Sequence, residues 1–470
     1  MLTNITLENF KAFQKLNNLK VKPVTILCGT NSCGKSSILQ SILLFKQTLE
    51  SKSPNQNLLL NGRFTKLGYF EDIIYQKNKD NEVKFVLDII GGYNEDIHLE
   101  ISFKKSVNGK STVNENKNYR ISKININGIS PKGSELKPQI VSIIHGEDKN
   151  YKVIWNNIKI EGSDSGEAII KLDFSNLLLF DFDFSENNFL NKIKKEADFE
   201  NLKTLFSILD IILKEVYSRY TYLGPLRGEP EREYIYRDEV VEIGNKGENA
   251  AFLYLSEQNK SIENHVFYNK IKDDFEKTNQ LSLKDALNKW FDLMNIDNFE
   301  GEIINKIIYL SINASKYDET KVGIADVGFG VSQIFPIILE GLRMNKRNTL
   351  LLEQPEIHLH PNLQMQMADF FIALALSDKN VIAETHSDHI VNRLVRRIVE
   401  DETHDLKDKI GIYFIKPSEN GSVYEEINID DAKGITNWPT DFFDQAANEQ
   451  MLIMQAGLKK RKNQRTIAKV

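Results

Sequence analysis

The sequence predicts an α/β fold in which both ends of the chain contribute strands and helices to one domain. Near the N-terminus, an apolar run at residues 24–27 stops at Gly29 and is followed by a helical spacing of apolar residues over 38–43. This pattern is typical of a strand, a loop and a helix. After about residue 301, candidate strands again alternate with amphipathic helices. Between these two parts, alternating runs such as KFVLDII and IHLEISF predict short strands.

The composition restricts the class of protein. The chain has 470 residues, of which 41% are hydrophobic, so it exceeds the usual size of one compact domain and can build a packed core. Its formal charge of −6 at pH 7 produces no global positive field for nucleic acid, although local patches remain open as binding sites. No run approaches the roughly 20 apolar residues of a membrane helix, and the first residues alternate like a strand rather than a signal peptide. We therefore expect a cytoplasmic protein with no membrane partner.

A glycine-rich motif lies between the first predicted strand and helix. Residues 29–36, GTNSCGKS, fit the P-loop pattern G-x-x-x-x-G-K-[ST] at every fixed position. The N–H groups of such a loop face phosphates, and the following helix directs the positive end of its dipole at the same anion. The motif predicts a site for ATP and Mg²⁺ in which Lys35 reaches the β and γ phosphates and Ser36 enters the Mg²⁺ shell. The predicted nucleotide-binding residues here are Gly29, Thr30, Asn31, Ser32, Cys33, Gly34, Lys35, Ser36 and Ser37.

A carboxylate ends the apolar run at residues 349–353, TLLLE. A P-loop fold delivers its second Mg²⁺-side ligand from such a strand end, either directly or through water. Glu353 is therefore the predicted metal residue together with Ser36. The alternative role for Glu353 is to cap the turn that follows the strand.

The text around this acid, EQPEIHLHP at residues 353–361, resembles the ATP-binding-cassette (ABC) heads of chromosome-maintenance, recombination-repair and overcoming-lysogenization-defect (OLD) ATPases. In those heads a strand-end acid is followed by a catalytic glutamate and a proline. The resemblance is most specific to a prokaryotic ATPase family of this lineage that carries text like EQPEIHLHP and a C-terminal domain of unknown function. It implies an α/β P-loop NTPase fold, an ABC-type head with a β-rich insertion and helical elements.

Gln354 stands in the place of the catalytic glutamate of the resembled heads. An amide can orient a water by hydrogen bonds but cannot accept its proton. Either Glu356 substitutes for the missing base, or turnover is slow and the molecule works mainly as a switch. Residues 222–228, YLGPLRG, also resemble the family, and Arg227 within them either touches phosphate or anchors the Gly-Pro turn.

A second glycine-rich turn, DVGFGVSQ at residues 326–333, leads into an apolar helix and predicts a second anion site. In the resembled heads an equivalent signature reaches across a dimer to the γ phosphate that the partner binds. The resemblance implies this role for Gly330, Ser332 and Gln333. The alternative is an ordinary glycine turn in which Ser332 is the helix N-cap.

The predicted strand at residues 381–384 ends in Thr385, His386, Ser387 and Asp388, and a helix follows. His386 matches the switch histidine of the resembled heads, which implies a hydrogen bond to the γ phosphate or to the water beside it. By itself a histidine at a strand end is more often structural. The resemblance thus makes the predicted catalytic set Gln354, Glu356 and His386.

Pattern and resemblance together divide the chain into five segments. They are 1–60, the N-terminal half of the ATPase head; 61–185, a β-rich insertion lobe; 186–300, a mostly helical segment; 301–420, the C-terminal half of the head; and 421–470, a helical and basic tail.

The expected function is an ATP-hydrolysing, nucleotide-driven dimeric clamp or sensor. The resemblance implies bacterial antiphage defence or DNA maintenance, a homodimer or higher even-numbered oligomer, and a separate effector protein, with nucleic acid an open partner. One alternative is a metal-dependent nuclease or hydrolase of the OLD type that uses His358, His360, His386 and acidic neighbours, because paired histidines can ligate transition metals. The other is the ATPase subunit of a membrane transporter, whose heads share the P-loop and signature but lack the insertion.

Overall fold

The protein is described here by a computed structural model. The described residues are 1–52, 57–91, 96–105, 119–128, 139–146, 150–160, 163–183, 200–236, 242–403, 405–430, 432–440 and 442–467. The start of the predicted helical segment, residues 186–199, lies outside these ranges.

The β-strands fall into one large sheet and several small ones. In chain order they are β1 Leu2–Phe10, β2 Phe13–Lys20, β3 Val24–Gly29, β4 Val83–Ile90, β5 Asp96–Lys105, β6 Tyr119–Asn127, β7 Ile140–His145, β8 Asn150–Ile160, β9 Ser163–Ser175, β10 Leu178–Asp183, β11 Tyr220–Leu223, β12 Tyr234–Ile235, β13 Ser261–Asn269, β14 Asp274–Ser282, β15 Glu300–Ile304, β16 Ile307–Ser315, β17 Asp318–Gly323, β18 Thr349–Glu353, β19 Asn380–Glu384, β20 Ile410–Ser418, β21 Gly421–Glu426, β22 Ile429–Asp430 and β23 Gly434–Ile435.

The α-helices alternate with strands in the parallel part of the fold. They are α1 Lys35–Leu49, α2 Glu200–Ser218, α3 Ala250–Glu257, α4 Leu283–Leu293, α5 Phe329–Arg343, α6 Pro361–Leu376, α7 Asp388–Glu400, α8 Asp405–Lys409 and α9 Gln445–Ile467.

The large sheet has 15 strands within the described part of the chain, in the order β10-β9-β8-β7-β6-β5-β4-β1-β2-β21-β20-β3-β19-β18-β11. From β20 to β11 neighbouring strands are parallel, and the helices cross over between them as parallel pairing requires. From β10 to β20 neighbouring strands are antiparallel. The sheet is therefore a parallel centre continued by a long antiparallel meander.

The central strands are buried on both faces, which explains their continuous runs of apolar residues. In β18, Leu351 belongs to the core that contains α1 and α2, whereas Leu350 and Leu352 belong to the core of α4, α5, α6 and α7. The antiparallel strand β4 instead alternates buried and partly buried residues over Val83–Ile90. The predicted α/β fold with a P-loop is thus confirmed, as are the predicted strands Thr349–Glu353 and Asn380–Glu384.

The segment predicted as a β-rich lobe, residues 61–185, supplies strands β4 to β10. These strands pair with one another in chain order and join the rest of the sheet through β4 and β1. They therefore extend the same sheet as the P-loop strand β3. At the other end, the predicted boundary at residue 420 falls in the tight turn between the paired strands β20 and β21. The limits of the five segments stay predictions.

None of the helices in the described ranges has the length and apolar character that crossing a membrane requires.

Candidate functional site

The P-loop, residues 29–36, leaves strand β3 and enters helix α1 through two glycines that no other residue could replace. Gly29 has φ 145°, and a Cβ built on it would lie 2.0 Å from the carbonyl oxygen of Ile415 in the neighbouring strand β20. Gly34 has φ 95°, where L side chains are strained, and its Cβ would lie 2.8 Å from the Cβ of Ala12. These two positions let the loop curl back at the carboxyl end of the sheet.

Lys35 is the first residue of α1 and is only 3% exposed. Its Nζ donates to the carbonyl oxygens of Thr30 at 2.7 Å and of Gly29 at 3.1 Å, and lies 3.8 Å from the Cys33 sulfur. No side chain caps the start of α1, and an uncapped helix N-terminus offers backbone N–H groups to an anion. The ammonium therefore lies within its own loop, at the place where phosphates would enter.

The other P-loop residues occupy distinct places. Asn31 and Ser32 are exposed at the tip, where Ser32 has φ 59°. Ser37 is buried, and its N–H donates to the carbonyl oxygen of Gly34 at 3.0 Å. This hydrogen bond closes the turn between the P-loop and α1.

Ser36 contacts a residue that the sequence analysis did not single out. The Ser36 hydroxyl donates to Glu384 Oε1 at 3.0 Å, and Oε2 of the same carboxylate is buried without a hydrogen-bond partner in the described part of the chain. Glu384 ends β19, directly opposite Glu353 at the end of β18. The sequence contained a signal for this arrangement, because NVIAE and TLLLE both end an apolar run with glutamate.

Glu353 lies beside this pair and accepts a hydrogen bond from the Tyr222 hydroxyl at 2.9 Å. Burial raises the pKa of Glu353, and the Tyr222 hydrogen bond opposes that shift. Burial also raises the pKa of Glu384 to about 7, with a smaller contribution in the same direction from the charge of Glu353. Two desolvated carboxylates therefore lie side by side at the ends of β18 and β19. A nearby cation would stabilise their charged forms.

A Mg²⁺ ion, which the P-loop implies, fits these residues. It prefers hard oxygen ligands and keeps several waters, so it uses few protein groups. The Ser36 hydroxyl and the unpartnered Glu384 Oε2 are oxygens of this kind, and Glu353 offers a third.

Gln354 is held through its backbone. It has φ 46°, its N–H donates to the Glu384 carbonyl oxygen at 2.8 Å, and its own carbonyl accepts from Arg227 Nη1 at 3.0 Å. Arg227 also donates to the Pro225 carbonyl oxygen at 3.3 Å and is buried. Of the two roles left open for Arg227, the turn anchor matches these contacts. The Gln354 side chain makes no hydrogen bond to the residues that the structure describes.

Glu356 connects the turn after β18 to the segment that carries His386. Its Oε1 accepts the His386 backbone N–H at 2.6 Å, and its Oε2 accepts the Thr385 hydroxyl at 2.8 Å. Burial raises the pKa of Glu356, against these hydrogen bonds and the charge of Arg227, which lower it. Burial lowers the pKa of His386, and the nearby Lys35 ammonium lowers it further. The imidazole is therefore neutral at physiological pH and lies on the P-loop side.

The predicted signature, residues 326–333, forms the entry into α5, but its residues differ in exposure. Ser332 and Gln333 are buried, 6% and 4% exposed, and the Ser332 hydroxyl donates to the Phe329 carbonyl oxygen at 2.8 Å within the same helix. Gly330 is partly exposed, whereas the Phe329 side chain is 50% exposed. The accessible part of the signature is thus its first turn.

The histidines of the nuclease alternative serve other contacts. His360 is the N-cap of α6, where its Nδ1 accepts the Asn362 N–H at 3.3 Å. His358 packs against the Phe329 ring, with ring centroids 5.6 Å apart. Among the residues that the structure describes, no group of three or more His, Cys, Asp or Glu could hold a metal ion. These three histidines therefore form no transition-metal centre.

The P-loop, Glu353, Gln354 and the His386 segment meet at the carboxyl ends of three adjacent strands. Strand β3 lies between β20 and β19, and β19 lies between β3 and β18. Ligands bind at this edge in open parallel sheets. The signature joins the same edge through the contact of Phe329 with His358.

Comparisons with protein families give two matches. The family described as "AAA ATPase domain" matches residues 1–391, and the family described as "Protein of unknown function (DUF3696)" matches residues 407–452. A comparison with curated protein sequences gives no match.

Among solved structures, the chain is similar to an SMC head domain from Thermotoga maritima, with 10% identity and a TM-score of 0.39 over 91% of this chain and 99% of that one. It is also similar to an SmcHead bound to the C-winged helix domain of ScpA, with 10% identity and a TM-score of 0.41 over 91% and 98%. An Smc head domain with an extended coiled coil, bound to the C-terminal domain of ScpA derived from Pyrococcus furiosus, gives 9% identity and 0.35 over 91% and 96%. Likeness at this level carries no conclusion about function.

Proposed function

Because the chain belongs to the AAA ATPase domain family, we propose that it binds ATP with Mg²⁺ at the P-loop and hydrolyses it to control the association of two copies. The observation that carries this proposal is the hydrogen bond from Ser36 to Glu384, whose second oxygen has no partner in the described part of the chain. A buried carboxylate left half-satisfied beside a P-loop serine is costly unless a ligand completes it.

The residues divide the work of binding between them. Lys35 neutralises phosphate charge, and the free N–H groups at the start of α1 bind phosphate oxygens. Mg²⁺, when bound, would neutralise charge that builds up on the phosphates. Ser36 and Glu384 would hold it, with Glu353 acting directly or through water. Glu353 also keeps Tyr222 oriented at the same strand end.

Hydrolysis would be slow in this chain. The Gln354 amide can orient a water but cannot take its proton. Its backbone is fixed on both sides, by Glu384 and by Arg227, so the amide is presented from a rigid turn. The neutral His386 imidazole can donate to the γ phosphate or to the water beside it, and would report the loss of that phosphate.

Association of two copies would use the first turn of α5. The Phe329 side chain in this turn is exposed, and a helix N-terminus attracts the phosphates of a partner's nucleotide. Gly330 would make the first contact with the partner. Ser332 and Gln333 would support this turn from within the chain, because both are buried.

The biological role that we propose is a nucleotide-driven clamp or sensor that acts with a separate effector in antiphage defence or DNA maintenance. This part rests on the resemblance carried by EQPEIHLHP at residues 353–361. Sites, rather than folds, determine function, so the effector must be identified by its binding to the ATP-bound form.

The test is the mass in solution with and without MgATP, together with nucleotide affinity, for the wild type and Lys35→Ala. We expect MgATP to raise the mass of the wild type to that of a dimer or larger even-numbered assembly. Lys35→Ala should lose nucleotide affinity by about tenfold or more, which corresponds to about 1.4 kcal/mol, and should not assemble. As a matched control, Lys20→Ala on β2 removes an exposed lysine and should behave like the wild type. Equal affinity of Lys35→Ala and wild type would refute the P-loop assignment.

A further inference from the structure

We propose that Glu356 is a positioning residue and is not the base that activates water. Its contacts couple the switch segment, residues 385–387, to the signature, residues 326–333. This inference rests on the proposed function, since it assigns a role within the same ATP site. It replaces the role of substitute base that the sequence leaves open for Glu356. Four groups of contacts carry it.

Both oxygens of the Glu356 carboxylate are engaged. Oε1 accepts the His386 N–H and Oε2 accepts the Thr385 hydroxyl, at 2.6 and 2.8 Å. These bonds use the carboxylate to hold a backbone segment in place. A general base must instead reach the proton that it abstracts, and here each oxygen already binds the switch segment, residues 385–387.

A second hydrogen bond ties the same two segments together. The Ser387 hydroxyl donates to Gln364 Oε1 at 2.5 Å, and Gln364 Nε2 donates to the Leu359 carbonyl oxygen at 2.9 Å. The strand-end turn, residues 354–360, thus contacts the switch segment directly through Glu356 and indirectly through Gln364. A displacement of His386 would pull on this turn at two places.

The strand-end turn is itself rigid at its beginning. Arg227 donates to the carbonyl oxygen of Gln354, and the Gln354 N–H is bound to Glu384. Within the turn, the Leu359 N–H donates to the Glu356 carbonyl oxygen at 3.0 Å. A turn with these internal bonds moves as a unit, so a pull on Glu356 reaches residue 358.

The far end of the turn touches the signature. The His358 ring packs on the Phe329 ring, and the His358 carbonyl oxygen lies 3.7 Å from the position of a Cβ on Gly330. Phe329 and Gly330 form the exposed first turn of α5. The contacts therefore run without a gap from the residue that senses the γ phosphate to the surface that would meet a second copy.

The isosteric amide separates the positioning role from that of a base. In Glu356→Gln, the side-chain oxygen can accept the His386 N–H, and the NH₂ group can donate to the Thr385 hydroxyl. Among the described residues, that hydroxyl accepts the Ser387 N–H, at 3.0 Å, and a hydroxyl oxygen has two acceptor lone pairs. Glutamine thus keeps both connections but cannot accept a proton from water. Alanine keeps neither.

The experiment compares full-length Glu356→Ala, Glu356→Gln and wild type, with Glu419→Gln as the control for loss of an exposed carboxylate. The readouts are nucleotide affinity, kcat, KM and the MgATP-dependent rise in mass. We expect Glu356→Ala to lower kcat by about tenfold or more while KM and affinity change by less than about threefold. Its mass should no longer rise with MgATP. We expect Glu356→Gln to restore the mass rise and to return kcat to within about threefold of the wild type.

Each other result overturns the inference. If Glu356→Gln loses turnover as fully as Glu356→Ala while its mass still rises, Glu356 is the base. If Glu356→Ala assembles and turns over like the wild type, the contacts of Glu356 do not couple the switch segment to the signature. If wild type itself binds no nucleotide, the proposed function fails, and that result is separable because affinity is measured independently. Thr385→Val removes one of the two bonds and should lie between Glu356→Gln and Glu356→Ala in the mass measurement.

Discussion

At the scale of single residues, the two oxygens of the Glu384 carboxylate differ in their hydrogen bonding. One accepts the Ser36 hydroxyl, and the other is buried without a partner among the described residues. Because Mg²⁺ needs an oxygen and an amide NH₂ group cannot replace it, we expect Glu384→Gln to weaken the effect of Mg²⁺ on ATP affinity. The ratio of ATP affinities with Mg²⁺ and with EDTA should fall by about tenfold, or about 1.4 kcal/mol.

Binding of a fluorescent ATP analogue with and without Mg²⁺ measures this ratio. Affinity in EDTA should stay near that of the wild type, since Lys35 and the α1 N-terminus remain. Glu263→Gln, at an exposed position on β13, is the matched control. An unchanged ratio in Glu384→Gln would mean that this carboxylate does not serve the cation.

His265 makes the stability depend on pH in a predictable direction. Trp290 Nε1 donates to its Nε2 at 3.2 Å, and Ser377 Oγ lies 3.3 Å from its Nδ1. Ser377 donates its own proton to the Ala373 carbonyl oxygen, so His265 donates through Nδ1 and is neutral. Burial lowers the pKa of His265 well below its ordinary value of 6.5.

The sign of the effect follows from proton binding. As the pH falls below 6.5, the unfolded chain gains a proton that the folded chain excludes, so the free energy of unfolding decreases. We expect urea midpoints to fall between about pH 7 and pH 5 in the wild type and to depend less on pH in His265→Gln, which is less stable throughout. Parallel slopes in wild type and His265→Gln would contradict the assignment.

The sequence predicted individual site residues where a local motif encodes them. The P-loop glycines, Lys35 and Ser36 could be identified because eight consecutive residues, 29–36, carry the whole pattern. Glu384 was missed because its role depends on which strands are neighbours. Its contact with Ser36 exists because β19 pairs with β3, and a parallel pairing between residues so far apart leaves no local pattern.

At the scale of elements, Asp369 joins the two helices that follow the ATP-site segments. Helix α6 begins directly after the strand-end turn, and α7 begins directly after the switch segment. Asp369 on α6 is 1% exposed and binds two arginines of α7, Arg393 at 2.7 Å and Arg397 at 2.9 Å. Removal of one partner from such a group leaves buried charge uncompensated.

We expect Asp369→Ala to lower the free energy of unfolding by about 3 kcal/mol or more, seen as a lower urea midpoint. Asp378→Ala is the control, because Asp378 is exposed and pairs with Lys346 at the surface. That change should cost about 0–1 kcal/mol. Equal midpoints for the two variants would show that the buried group does not join α6 to α7.

The positions of strands were predictable where the sequence has a continuous run of apolar residues. Both strands that carry the acids, β18 and β19, match the predicted apolar runs to within one residue, because strands buried on two faces are apolar through their centre. The position of Ser332 within the signature was not predictable in the same way. Ser332 sits one turn inside α5 and donates to its own helix, and the sequence alone does not reveal which side of a helix faces the core when nearly all residues are apolar.

At the scale of the whole molecule, the antiparallel strands β4–β10 continue the sheet that carries the P-loop. The sequence predicted a β-rich segment here but not its attachment, which depends on the pairing of β4 with β1. A sheet that is continuous from the ATP site to β10 gives the meander no independent core, since its buried residues belong to the same core as α1. In the proposed function, the nucleotide therefore binds at the edge of one continuous sheet, and association of two copies would use an exposed surface.

The surface that we propose for association of two copies is the exposed first turn of α5, where the Phe329 side chain is 50% exposed. If a second copy brings its nucleotide phosphates to this turn, a negative charge at residue 329 repels them. We expect Phe329→Glu to abolish the MgATP-dependent rise in mass while ATP affinity stays within about twofold of the wild type. Tyr317→Glu, which replaces a 93% exposed aromatic residue in the turn after β16, places the same charge elsewhere and should assemble normally. If Phe329→Glu still assembles with MgATP, the two copies meet through another surface, and the contact of His358 with Phe329 does not carry the nucleotide state to the partner.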